Sequence, residues 1–168
     1  MKLISLVILF IYSCTSSTPN FQDKMNKISK NGMTVSWETK GDRLVIKMFA
    51  PTKGWLAIGF NDKGGLANTN LIMSCVRNGQ VFIEDQFIKS PGSHIKVTDL
   101  GGNDQTSRHS GEETAKGTTI SFEITQTALD QFHHNLKEGQ KYHLLMAFSR
   151  EDDFQHHSMM RTSIEIIL

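Results

Sequence analysis

Residues 54–76 read GWLAIGFNDKGGLANTNLIMSCV, and this stretch decides the fold that the sequence predicts. A near-continuous apolar run, 55–60, is followed by a polar loop, 61–65, and then by a second apolar run, 71–76. Short apolar runs bounded by turn residues are typical of buried β-strands. Glycine supplies the positive φ angles that tight loops need, and Asn and Asp side chains bond to nearby backbone. We therefore predict two buried strands joined by a polar loop.

The sequence on both sides of this stretch continues the strand pattern. Residues 33–37 and 44–49 alternate apolar and polar side chains, which is the period of a half-buried strand. Asn78-Gly79 is a hairpin dipeptide. Further predicted strands are 80–88, 95–97 within the long polar segment 91–117, 118–124, 142–148 and 162–168.

One segment follows a different period. Between residues 125 and 136, Ala128, Leu129, Phe132 and Leu136 are spaced to form one face of a helix, with Thr125 as its cap. The predicted fold class is therefore all-β. It is an antiparallel β-sandwich of about eight to ten strands with one short helical insert.

The N-terminus predicts export from the cytoplasm. Residues 1–13 have the pattern of a signal peptide, because the apolar run 3–12 is shorter than the ~20 residues of a membrane span. The segment that ends at Cys14 resembles a bacterial lipobox, which implies a lipid on Cys14 and a cell-envelope lipoprotein, periplasmic or on the cell surface. A plain secretory signal is the alternative. Residues 14–30 are predicted to be a polar tether with a short helical turn near 21–28, and 31–168 the folded domain.

Composition narrows the classes of function. Lys and Arg number 18 against 17 Asp and Glu, without a basic run, which argues against a nucleic-acid partner. Cys75 is predicted to be a small buried hydrophobe, with a Cys14–Cys75 disulfide as the alternative. No hydrolase, phosphate-loop or zinc-protease motif is present. Glu84 and Asp85 should face opposite sides of a strand. We expect no catalytic residues and no catalysis by this chain alone.

The central stretch resembles the signature region of the DOMON domain family, in which an aromatic residue, apolar residues and an Ile-Gly-Phe or Ile-Gly-Trp triplet precede a loop and another strand. Ile58-Gly59-Phe60 carries that triplet here, and similar segments follow in the same order. They are 99–104, 110–113, 119–122, 139–142 and 153–164, so the resemblance covers about 32–168. It implies an extracytoplasmic β-sandwich that binds haem b or, in other branches, sugars.

The resemblance also implies a site. In haem-binding members a Met after the loop and a His before the last strand ligate the iron; those positions fall here on Leu66 and His157, with His156 as the adjacent alternative. The Met ligand is thus replaced by leucine. Either Leu66 packs on the porphyrin face and the ligation is by His only, or Met73, Met159 or Met160 is the substitute ligand. The implied cofactor-binding residues are Leu66, Met73, His157, Trp55 and Phe60.

Two functions follow from this reading. The first is an electron-transfer module with haem b, a redox partner protein and a membrane contact only through the lipid. The second is a haem-free module that binds a sugar, another small ligand or a protein, with Trp37 and Trp55 as aromatic platforms. An open apolar cleft between Leu66 and His157 would favour haem. Among the other histidines, His133-His134 is predicted to face solvent.

Overall fold

The computed structural model describes residues 25–168, and eleven β-strands make up most of this part of the chain. The strands are β1 Asn26–Lys30, β2 Met33–Lys40, β3 Arg43–Ala50, β4 Leu56–Asn61, β5 Thr69–Arg77, β6 Gln80–Ser90, β7 Ser93–Lys96, β8 Ser107–Thr114, β9 Gly117–Thr125, β10 Lys141–Phe148 and β11 Met160–Ile167. A single 3₁₀ turn, Thr98–Leu100, is the helical structure found within these residues.

The strands form two antiparallel sheets. One has five strands in the order β1-β2-β3-β9-β8, and the other has six in the order β11-β10-β4-β5-β6-β7. The alternating residues of β2, β3 and β9 point one face into the space between the sheets, where Phe122, Ile46 and Met48 are fully buried. The predicted all-β antiparallel sandwich is confirmed.

Turn chemistry sets the registers of two hairpins. Asn31 and Gly32 have φ angles of 49° and 86°, and Asn78 and Gly79 have 51° and 75°. Positive φ at both central residues is the mark of the two-residue turn whose twist matches that of paired strands. The second turn pairs Arg77 with Gln80 and so joins β5 to β6, as the Asn78-Gly79 dipeptide predicts.

The N-terminal boundary differs from the prediction. Residues 26–30, which we assigned to the tether and in part to a helical turn, form β1 and pair with β2 from Asn26 opposite Trp37 to Lys30 opposite Met33. Pairing with an amphipathic neighbour overrides the polar composition of this segment. The signal peptide, Cys14 and the rest of the tether lie outside the described residues. Among residues 25–168, no helix is long and apolar enough to cross a membrane.

The predicted helix over 125–136 is wrong, because side chains compete for its backbone groups. Asn135 Oδ1 accepts a hydrogen bond from Ala128 N at 3.0 Å, and Leu136 N donates across the segment to Gln126 O at 2.7 Å. Tyr142 Oη then bonds to Asn135 O at 2.7 Å. Such local and cross-segment bonds favour an irregular connection over a helix.

A buried polar network holds this connection against the sandwich. His133, which we predicted to face solvent, has a fully buried side chain; its Nε2 lies 3.0 Å from Asp85 Oδ2 and its Nδ1 lies 2.8 Å from Asp130 Oδ1. The Nδ1 contact is poorly aligned for a hydrogen bond, so charge attraction dominates there. Asp85 also accepts hydrogen bonds from Asn70 Nδ2 at 2.6 Å and from Gln105 N at 3.0 Å.

This network predicts a pH-dependent stability. Burial alone would lower the pKa of His133, but the hydrogen bond and charge of Asp85, followed by the charge of Asp130, raise it above 6.5. The folded state therefore holds the proton more tightly than the unfolded chain. The resulting stabilisation is complete below the unfolded value of about 6.5 and is lost as the pH rises through the folded pKa.

The measurement is urea unfolding of the wild type and of His133→Gln between pH 6 and about pH 8.5. The Cys75 thiol, whose pKa burial raises to about 11 in the folded state, is present in both proteins, so its contribution cancels in the difference between them. We expect the difference in unfolding free energy between the two proteins to shrink as the pH rises. A difference that stays constant or grows would show that His133 is neutral in the folded state.

Candidate ligand-binding cleft

The outer face of the six-stranded sheet carries a second apolar cluster, separate from the core between the sheets. Its buried members are Trp55, Ala57, Leu71, Met73, Cys75, Ile88, Leu145, Ala147 and Phe154, with the partly buried Leu66 packed against them. Strands β4 and β5 are consequently buried on both faces. This explains why residues 55–60 and 71–76 are nearly continuous in apolar side chains rather than alternating.

The loop between β10 and β11 covers one side of this cluster and is tied to β4. Trp55 N donates to Glu151 O at 3.0 Å, and Ser149 N donates to Trp55 O at 2.9 Å. Gly54 is required here because a Cβ on it would lie 2.4 Å from the Arg150 carbonyl carbon. The buried Ser149 Oγ donates to His157 O at 3.1 Å, which fixes the backbone position of this histidine.

These elements enclose a cleft of about 380 Å³. Five of the six residues that the sequence assigned to the site line it: Trp55, Leu66, Met73, His156 and His157. Leu66 and His157 therefore face the same open space, across a floor that includes Leu71, Met73 and Ala147. The sixth residue, Phe60, belongs to the core between the sheets, on the opposite face of β4. The prediction that Phe60 lines this site is wrong, because a doubly buried strand gives no alternation from which its face can be read.

The rim of the cleft is polar and partly unpartnered. The side chains of His156, His157 and Arg161 line it, and none of them has a hydrogen bond or ion pair with another residue in the range 25–168. The buried indole Nε1 of Trp55 also lacks a hydrogen-bond partner among the described residues. Unpaired donors around an apolar floor are the arrangement of a ligand site, in which a few polar groups orient a mostly apolar molecule.

A third histidine, His94, lines the cleft and was missed at the sequence level. It is the second residue of β7 and lies opposite Ile88, and its Nδ1 lies 2.5 Å from Gln86 Oε1. Gln86 Nε2 donates in turn to Glu84 Oε2 at 2.7 Å. Burial lowers the pKa of His94 below 6.5, against the opposing charge of Glu84, so the ring is neutral at pH 7. The sequence feature that could have identified His94 is its position next to the predicted strand 95–97.

The other candidate ligands and platforms lie elsewhere. Met159 is 49% exposed and its sulfur accepts a contact from Arg150 Nε at 2.9 Å, while Met160 packs against the core between the sheets. Trp37 is buried in that core, and Trp55 is only 4% exposed, so neither offers a free aromatic platform. Within the described range, no group of three or more His, Cys, Asp or Glu residues is placed to hold a metal ion.

The fold and the cleft together define a class: a small antiparallel β-sandwich with an apolar cleft on the outer face of its larger sheet. The chain belongs to the DOMON domain family, whose model matches residues 29–149. This confirms the resemblance drawn from the central stretch.

Solved structures show the same fold at low identity. The cytochrome b domain of pyranose dehydrogenase from Coprinopsis cinerea has a TM-score of 0.61 and 9% identity, and the match covers 85% of this chain and 81% of that one. The cytochrome domain of Myriococcum thermophilum cellobiose dehydrogenase has a TM-score of 0.58 and 9% identity, with 86% and 81% covered. No curated protein matches the sequence.

Proposed function

We propose that this DOMON domain is a non-catalytic binding module whose cleft would hold haem b, with His157 as a donor to its metal. The observation that carries the proposal is the placement of Leu66 and His157 on one open cleft with an apolar floor. A cleft of about 380 Å³ lies within the range of roughly 300–1,000 Å³ that is usual for small-ligand sites. Haem b, when bound, supplies a one-electron redox centre, and a redox partner protein would complete that role.

The residues present fit the chemistry of this group. A flat macrocycle with acidic substituents needs an apolar slot, a nitrogen or sulfur donor for its metal and a cation for its carboxylates. The floor around Met73 provides the apolar slot, and the ring of His157 provides the nitrogen donor. The Arg161 guanidinium, unpaired among residues 25–168, provides the cation for the carboxylates, and its shape suits bidentate carboxylate binding. The printed descriptions of the two similar solved structures, as cytochrome domains, add support.

An absorption spectrum of the purified full-length chain, produced with haem available, tests this function. We expect a Soret band that shifts on reduction with dithionite, because bound haem changes its oxidation state, and sharp α and β bands where a second strong donor besides His157 binds the iron. Correct folding is checked by circular dichroism, which should show mainly β-structure. Well-folded protein without a Soret band would refute the haem proposal.

The alternative is a haem-free binding module for a sugar, another small ligand or a partner protein. The observation that favours it is Leu66, which supplies no donor at the position where haem-binding relatives of this family carry methionine. Two features argue against a sugar ligand. The apolar floor offers few hydrogen-bond partners for sugar hydroxyls, and the buried Trp55 offers no open surface on which a sugar could stack. A panel of sugars screened by calorimetry against protein without a Soret band would identify this case.

We also propose that the domain acts outside the cytoplasm, held on the envelope by a lipid on Cys14. The proposal rests on the sequence of residues 1–14 alone. Replacing Cys14 by Ser would remove the acceptor thiol and release the protein from the membrane fraction, whereas a plain secretory signal predicts no change in fractionation.

A further inference from the structure

The wall of the cleft beside Leu66 carries a histidine, His94. Asn68 N donates to Ile88 O at 2.8 Å, and Ile88 lies directly opposite His94 in the β6–β7 register. Leu66, Ile88 and His94 all line the cleft. His94 therefore belongs to the same wall as Leu66, whereas His157 comes from the loop between β10 and β11.

The orientation of the His94 ring is fixed by a chain of hydrogen bonds. Lys96 Nζ binds Glu84 Oε1 at 2.8 Å, and the Glu84 carboxylate can only accept hydrogen bonds. The amide Nε2 of Gln86 donates to Glu84 Oε2 at 2.7 Å, which turns Gln86 Oε1 towards His94. This oxygen can only accept, so the proton on the His94 ring must be on Nδ1.

The consequence is a histidine whose Nε2 carries a free lone pair. A metal-binding histidine almost always donates its other ring N–H to an oxygen acceptor, which sets both the tautomer and the ring direction. Gln86, with 2% of its surface exposed, is a buried acceptor of this kind.

We propose that His94 Nε2 is the second metal-donating group of the cleft, in place of the methionine thioether that the family carries at the position of Leu66. This proposal rests on the proposed haem function and concerns the same cleft. Gln86 is a positioning residue that acts through His94. Met73 is the competing donor, but it is 2% exposed within the apolar floor, where a methionine ordinarily serves as packing.

The test compares full-length wild type, His94→Ala, Gln86→Leu and Met73→Leu, each loaded with haem b and examined by absorption and electron paramagnetic resonance. We expect a low-spin, six-coordinate signal for the wild type and for Met73→Leu. His94→Ala should keep haem through His157 but become high-spin. Gln86→Leu should stay low-spin and bind haem roughly tenfold more weakly, the scale of losing an outer hydrogen bond to a ligand.

Adding Leu66→Met to His94→Ala provides an independent check. The thioether should restore the low-spin signal and raise the reduction potential above that of the wild type, because a His/Met pair favours the reduced state more than two histidines do. His109→Ala, an exposed histidine on β8, is the matched control and should change nothing.

The outcomes separate the two proposals. Wild type that binds haem while His94→Ala stays low-spin would overturn the role of His94 and leave the haem function intact. Loss of the low-spin signal in Met73→Leu instead would assign the second donor to Met73. Well-folded wild type that takes up no haem would overturn both proposals. High-spin His94→Ala that Leu66→Met rescues would establish His94 as the donor.

Discussion

Replacing Asp85 by alanine is expected to lower the free energy of unfolding by roughly 3–5 kcal/mol, the usual cost of removing one partner from a buried ion pair. Asp85 is 4% exposed and binds three groups from three segments: the side chains of Asn70 and His133 and the backbone N–H of Gln105. Its removal leaves these donors buried without an acceptor. A typical domain of this size is stable by only about 5–15 kcal/mol, so the loss is large. Urea unfolding at pH 7 measures it.

Glu84 is a matched control for this prediction. It precedes Asp85 on β6 and faces the other side of the sheet, where it pairs with Lys96 at 2.8 Å; the two side chains are 25% and 49% exposed. An ion pair this open to solvent contributes at most about 1 kcal/mol, and the hydrogen bond that Glu84 Oε2 accepts from Gln86 Nε2 at 2.7 Å adds about 1 kcal/mol, so Glu84→Ala should still cost less than Asp85→Ala. Equal costs for the two substitutions would mean that the network around His133 does not stabilise the fold.

The fold could be predicted because its strands repeat a local pattern that packing then confirms. Alternation in β2, β3 and β9 and the dipeptide Asn78-Gly79 are features of short range, and each agrees with the final topology. The helix predicted for 125–136 was wrong because contacts distant in the sequence, and not a local pattern, determine the structure of this segment. Its helical spacing is real, but Asp130 and Asn135 find backbone partners, and His133 finds Asp85, which is 48 residues away in the sequence. Contacts at that distance have no local signature.

The site was predictable only in part, for a related reason. Leu66 and His157 could be placed from the family's motif, and the structure brings them to one cleft. His94 could not be identified as a site residue from the sequence, because what distinguishes it is a hydrogen bond to Gln86 across the β6–β7 pairing. Phe60 was misplaced since both faces of β4 are buried under different clusters.

Replacing His157 by alanine is expected to weaken haem retention by at least about a hundredfold, which corresponds to roughly 2.8 kcal/mol. His157 is held where it can act: Ser149 Oγ, at the end of β10, donates to its carbonyl oxygen at 3.1 Å. Because this bond anchors the backbone, only the side-chain torsions of His157 lose freedom when the ring binds a metal. Transfer of haem to an excess of apomyoglobin, followed by absorption, measures the rate of loss.

His156 is the matched control, because it has the same ring, lines the same cleft and is also exposed, whereas His157 is the residue that falls at the position of the iron-ligating His in haem-binding members of the family. We expect His156→Ala to retain haem within a few-fold of the wild type. Both substitutions are at the surface and should change the unfolding free energy by no more than about 0.5 kcal/mol, so a selective loss of haem cannot be attributed to unfolding. If His156→Ala lost haem and His157→Ala retained it, the donor would be His156 and not His157. Retention in both variants would show that the loop between β10 and β11 contributes no donor to the cleft.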